Sequence, residues 1–169
     1  MPEELAESLR PRVQRLGYLG EFFQCAANSP QALLAFQQFT EALKAALSER
    51  ITEVVALSVA TRLANAYERH QHERLCRRLG FADEWIRAVE ALRPDALEGG
   101  DAVVQRLALA LLAGDGSNAQ PQLDAVIDAL GPAQAIAVLF AIGRYVTHSL
   151  MVNALGLAPP VPSIFDGAS

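Results

Sequence analysis

The residues with chemical potential in this chain concentrate at positions 65 to 72, NAYERHQH, where an asparagine, a tyrosine, a glutamate and two histidines interrupt an otherwise aliphatic sequence. On a helix turning 100° per residue, and with Glu68 as the reference, His72 falls at about 40°, Asn65 at about 60°, Leu79 at about 20° and Cys76 at about 80°. Glu68 and His72 therefore share the apolar stripe. A carboxyl and an imidazole turned inward together must be hydrogen-bonded or shifted in pKa, which suits them to proton transfer. His70 falls at about 200°, near Arg77 and Arg74, on the face expected to be solvated. Its separation of two positions from His72 excludes joint metal ligation on one helix.

A second polar row lies near the C-terminus. Arg144 and His148 are spaced i, i+4, with Thr147 and Met151 beside them, so a cation and another imidazole are expected to face the same interior. The pattern N-x-x-E at 65 to 68 has the form of a capping box, in which Asn65 accepts from the first turn and Glu68 reaches back to the Asn65 amide. The positive end of such a helix favours an anionic or polarised small-molecule substrate near Glu68 and His72.

No metal site is expected, because the three histidines and the separated Cys25 and Cys76 form neither an HExxH nor a CxxC pattern. GDGSN at 114 to 118 has the acid and glycines of a calcium loop without its terminal glutamate, and no glycine-rich phosphate loop is present. No cofactor is expected.

Start and stop signals give the elements that must position these residues. Ser29 and Pro30 can open an amphipathic helix carrying Leu33, Phe36, Phe39, Leu43 and Leu47. Ser48 can cap the next, ERITEVVALSVATRLA, whose density of apolar residues predicts burial on more than one side. A third spans Ala66 to Leu79, with Gly80 beyond its end. Asp83 can cap EWIRAVEAL, EGG at 98 to 100 reads as a loop, and DAVVQRLALALLA and QLDAVIDAL read as helices. The last helix restarts at Pro132 and runs to Gly156.

No strand is expected, and the fold class is all-α. One domain is expected over 1–158, followed by an extended, proline-containing tail over 159–169. An offset of 76 positions superposes His72 on His148, Leu75 on Met151, Leu79 on Leu155 and Gly80 on Gly156, a weak internal echo of one helix end in another.

Bulk properties narrow the function classes. A net charge of −5 with a single lysine, Lys44, excludes a nucleic-acid footprint. The basic run from Arg69 to Arg78 is interrupted by Glu73 and is expected to solvate a helix face. The longest apolar run, AIAVLFAIG at 135 to 143, is too short to span a bilayer, so no membrane partner is expected. The opening residues lack the pattern of a leader and the two cysteines suggest a reducing compartment, so the expected location is the cytoplasm. A hydrophobic content of 51% points to a helical core plus a subunit interface, hence a homo-oligomer.

The segment ERITEVVALSVATRLANAYERHQHERLCRRLG resembles the core of the carboxymuconolactone decarboxylase and alkylhydroperoxidase D superfamily. There a glutamate opens an apolar helix and a C-x-x-C-x3-H motif begins the next. The resemblance extends from about Leu33 to the proline tail, including RYVTHSLMVNALGL. It implies an all-helical fold assembled as a trimer or hexamer. The family glutamate falls on Glu53 and the motif histidine on His72, whereas the two redox cysteine positions fall on Asn65 and Glu68.

In the peroxidase branch the second cysteine is the attacking thiolate, activated by the helix end and a relay through the histidine. Tyr67, Glu68 and His72 instead resemble members of the decarboxylase-like branch that lack the cysteine pair. That implies cofactor-free acid/base chemistry on a small organic acid or lactone, with Glu68, His72 and Glu53 as catalytic candidates. Asn65, Tyr67, Arg144 and His148 are the substrate-binding candidates. Two other readings stand beside it: a thiol-dependent peroxidase or reductase using Cys76, and a non-catalytic oligomeric helical protein. Glu53 lies roughly 22 Å from Glu68 along an unbroken helix, so their meeting requires a bend near Asn65.

Overall fold

A computed structural model describes residues 3 to 167 and divides the chain into two compact units, Met1–Ala42 and Leu43–Ser169. Among the described residues there are nine α-helices, one short 3-10 turn and no strand. The first unit holds α1 (Glu3–Leu16), α2 (Glu21–Ala26) and most of α3 (Pro30–Ala46). Its aromatic cluster sets Phe22 edge-on against Phe23 at 5.1 Å and tilted against Phe36 at 6.0 Å. The apolar pattern did not mark α1 and α2, since α1 is mostly polar and carries Pro11 inside it.

The second unit is built around α4 (Glu49–Arg62). Ser48 caps it, its Oγ accepting from the Ile51 amide at 3.3 Å. Ile51, Val54, Val55, Leu57 and Val59 are all buried, each contributing about 1.5–3 kcal/mol through its removal from water. Around α4 pack α5 (Ala66–Arg78), α6 (Asp83–Glu90), α7 (Gly99–Leu112) and α9 (Pro132–Ala154), and α8 (Gln120–Leu130) packs on α7 and α9. A helix surrounded in this way must be apolar nearly all round, which is why its sequence shows little amphipathic contrast.

Three boundaries differ from the sequence reading. Asp83 is the first residue of α6 rather than its cap: Ala82 holds the cap position without a side-chain bond, and Asp83 pairs with Arg77, whose Nε donates at 2.8 Å. The expected loop at 98 to 100 is partly helical, since α7 begins at Gly99. Asp101 anchors that start by accepting from Arg50 Nε at 2.9 Å and Trp85 Nε1 at 2.8 Å. Gly100 sits close against its neighbours, since a Cβ would meet Leu130 Cδ2 at 3.3 Å and Ile51 Cδ1 at 3.4 Å. The helix opened by Ser48 stops at Arg62, two residues short of Ala64.

That early stop produces the bend between α4 and α5. Ala64 adopts φ 52°, and the Asn65 amide closes back on Ala60 O at 2.8 Å. The echo at offset 76 is visible in the helix ends: Phe81 N donates to Cys76 O at 3.0 Å and Leu157 N to Val152 O at 3.1 Å, the same closing bond in both places.

α9 is apolar in front and polar behind. Ile136, Phe140 and Leu150 are each more than half exposed, at 51%, 56% and 57%, on the face that also carries Gly143 and Thr147. Arg144, Tyr145, His148 and Ser149 are buried on the other face. By length and composition α9 could cross a membrane, but more than half of its most apolar stretch is buried inside the fold, as expected for a core helix.

Candidate functional site

The bend at Ala64 folds α5 back along α4 and brings Glu53 to His72, whose Nδ1 lies 2.6 Å from Glu53 Oε2. On its other side His72 Nε2 lies 3.2 Å from Glu68 Oε1. Glu68 then bridges to α9: Arg144 Nη1 donates to Glu68 Oε1 at 3.1 Å, and His148 Nδ1 lies 2.8 Å from Glu68 Oε2. One row of groups, Glu53, His72, Glu68 and the pair Arg144 and His148, thus runs from α4 through α5 to α9. Its side chains are 3–12% exposed.

Tyr145 completes the wall. Its ring stands edge-on to His72 at 5.3 Å, and the Arg144 guanidinium lies 4.3 Å from the ring centre. Tyr145 was not among the candidates, although its position next to Arg144 in the sequence was a usable signal.

The electrostatics follow from this arrangement. Burial pushes the Glu68 carboxyl up, but His148, His72 and Arg144 together outweigh it and hold Glu68 well below the usual carboxylate range. Burial alone would lower His72, yet the charge and hydrogen bond of Glu53, joined by Glu68, push it up to about 9. At neutral pH His72 is an imidazolium between two carboxyl groups, a loaded proton donor rather than a base.

Cys76, one turn beyond His72, donates its thiol to Glu53 Oε2 at 3.4 Å. Burial first, then the Glu53 carboxyl and the nearby Glu90, push this thiol far up, so it stays protonated and weakly nucleophilic. Burial also pushes the Tyr145 phenol up.

The remaining candidates take structural positions. Asn65 caps α5, its Oδ1 accepting from the Glu68 amide at 3.1 Å, while its Nδ2 donates to Ser149 Oγ at 3.0 Å. The reciprocal half of the capping box is absent: Glu68 turns inward to His72, Arg144 and His148, and the Asn65 amide goes to Ala60 O instead. Tyr67 is buried with its ring 6.2 Å from that of His148.

His70, expected in open solvent, is half-buried with Nδ1 3.0 Å from Val161 O. Glu73, expected to be solvated, is fully buried. Both differences have one cause: the C-terminal segment lies across this side of α5. Among the described residues no group of three or more His, Cys, Asp or Glu side chains is arranged to hold a metal ion.

The fold and the row together define an all-α protein of the AhpD-like architecture with a buried imidazolium between carboxyl groups. The likeness of the fold is to a crystal structure from Agrobacterium tumefaciens, a protein of unknown function proposed to be the antioxidant defence protein AhpD. The TM-score is 0.73 with 17% identity, covering 81% of this chain and 96% of that one. No protein-family model matches the sequence. No curated protein matches it.

Proposed function

We propose that this chain is a cofactor-free acid/base enzyme of the carboxymuconolactone decarboxylase type, acting on a small organic acid or lactone. The observation that carries the reading is His72, held as an imidazolium by Glu53 on Nδ1 and Glu68 on Nε2. An acid of pKa about 9 keeps its proton at neutral pH and gives it up only to a strongly basic centre, such as the carbanion or enolate that forms as carbon dioxide leaves a β-activated acid.

In that step the C–C bond electrons pass to the substrate carbon, and the Nε2 proton of His72 closes the new C–H bond. Glu53 keeps the ring oriented through Nδ1. Glu68 gives way on the Nε2 side, and Arg144 and His148, which face Glu68 in the resting site, hold the substrate's own carboxylate. Asn65 and Tyr67 support the wall on which that anion rests.

The thiol reading takes second place because Cys76 is buried and held protonated beside Glu53. The protein is further proposed to work as a homo-oligomer, a trimer or hexamer, docked through the exposed front of α9. It needs no nucleic acid or membrane and works in the cytoplasm.

The test is a panel of small lactones and carboxylic acids assayed with wild type and His72→Gln. Loss of about 10²–10⁴-fold in turnover on a converted substrate supports the assignment. Unchanged turnover in the variant refutes it.

A further inference from the structure

Outside the site, the strongest unexplained cluster lies where the C-terminal segment crosses α5 and α6. The segment is tied along the whole length of α5. Val161 O meets His70 at 3.0 Å, Pro162 O accepts from Arg74 Nη2 at 3.1 Å, and Ile164 O accepts from Arg77 Nη2 at 3.5 Å. At its centre Glu73 Oε2 accepts twice, from Ser163 Oγ at 2.6 Å and from the Ile164 amide at 2.9 Å. The Phe165 amide donates in turn to Ser163 Oγ at 3.1 Å, and the Phe165 ring lies 3.7 Å from the Arg87 guanidinium.

The other oxygen of Glu73 is the anomaly. Glu73 Oε1 and Glu90 Oε1 are both buried and neither receives a hydrogen bond from a donor group. The charge and hydrogen bonding of Glu73 are among the influences that push Glu90 up, and Arg69 Nε lies 3.4 Å from Glu73 Oε1. Two coupled carboxyl groups, each with a buried oxygen that has no donor, are satisfied when one of them carries a proton and repel when neither does. Since Glu73 Oε2 already accepts twice, the proton belongs on Glu90.

We propose that residues 159–167 form a pH-gated strap whose latch is a proton shared between the Glu73 and Glu90 carboxyls. With the proton in place the strap is seated; with both groups ionised it is released, and Glu73 becomes hydrated.

The titratable and charged groups around the latch are Arg69 and Cys76 on α5, Arg87 on α6, and, along the strap's track, His70, Arg74, Arg77 and Asp166. Burial first, then the charge of Glu73, pushes Glu90 up to about 8 in the seated state against the lowering effect of Arg69 and Arg87. The seated strap therefore binds a proton that the released strap does not. Seating weakens with rising pH up to about 8 and levels off above it, by at most about tenfold per pH unit. The strap bonds His70, Glu73, Arg74 and Arg77 of the helix that carries Glu68 and His72, so its release loosens the helix that bears the site. The proposal concerns the strap and holds whichever reaction the site performs.

The experiment is amide hydrogen exchange of Ile164 and Phe165 from pH 5 to 9, expressed as protection factors relative to the intrinsic rate, with the Ile51 amide as reference. In wild type, protection at Ile164 and Phe165 falls by up to about tenfold per unit to pH 8 and then flattens. In Glu90→Gln, whose neutral amide donates to Glu73 at every pH, protection stays flat across the range. Ser163→Ala lowers protection at every pH while keeping the wild-type slope. A flat wild-type profile, or an equal slope in Glu90→Gln, overturns the proposal.

Discussion

Glu53→Gln is the most informative single change. In the folded chain the charge and hydrogen bond of Glu53 are the leading influences that push His72 up from 6.5 to about 9. That displacement corresponds to about 3 kcal/mol of preference for the imidazolium. The group is raised on folding, so its stabilisation is fully present below pH 6.5 and is lost as the pH climbs through about 9, at about 1.4 kcal/mol per unit. Glutamine keeps the shape and can still accept from Nδ1, but it carries no charge. With only Glu68 left to oppose burial, His72 is expected to titrate well below its wild-type value. The assay is the titration of the His72 ring protons by NMR, accompanied by urea unfolding at pH 6 and pH 9. A wild-type His72 that titrates near 6.5, or one that still titrates near 9 in Glu53→Gln, would refute the electrostatic argument.

Three further outcomes are expected. Cys76→Ser leaves turnover on any His72-dependent substrate within about threefold of wild type and shows no dithiothreitol-dependent peroxide reduction in either form; thiol-dependent turnover lost in the variant would make Cys76 the reactive group. Ala64→Gly relieves the left-handed backbone at the bend and raises unfolding stability by about 0.5–1 kcal/mol, read by urea denaturation. Phe140→Glu places a charge at the centre of the exposed α9 front and lowers the molar mass measured by light scattering, whereas a wild type already monomeric at micromolar concentration contradicts the proposed assembly.

Helical periodicity alone was enough to turn Glu68 and His72 inward together and to put Arg144 and His148 on one face, because both arrangements are properties of single helices. The meeting of Glu53 with His72 was legible only through the family resemblance. It depends on an alanine in a conformation that favours glycine, and nothing in the type of Ala64 announces it.

The cap at Asn65 was half legible. The local pattern gives the Asn65 side of the box, but the reaching-back of Glu68 lost to His72 on the same helix and to Arg144 and His148 from a distant part of the chain. Glu73 and His70 were misplaced for a related reason. His70 falls on the face that periodicity assigns to water and Glu73 within a basic run expected to be solvated, and the segment that covers both is contributed by residues about 90 positions away.

The ties that build the candidate site also bear on when it can exist. Arg144 to Glu68, Asn65 to Ser149 and Asn153 to Leu63 O join residues 76, 84 and 90 positions apart. Contacts of such long range form late, after the shorter helical contacts have closed the intervening chain. During synthesis α4 and α5 emerge first, and Glu68 and His72 then stand with solvent in place of Arg144 and His148. Until α9 docks, the chain has Glu53, Glu68 and His72 but not Arg144 and His148, so a chain stopped before residue 144 carries the motif without the two groups of α9 that help hold Glu68 well below the usual carboxylate range.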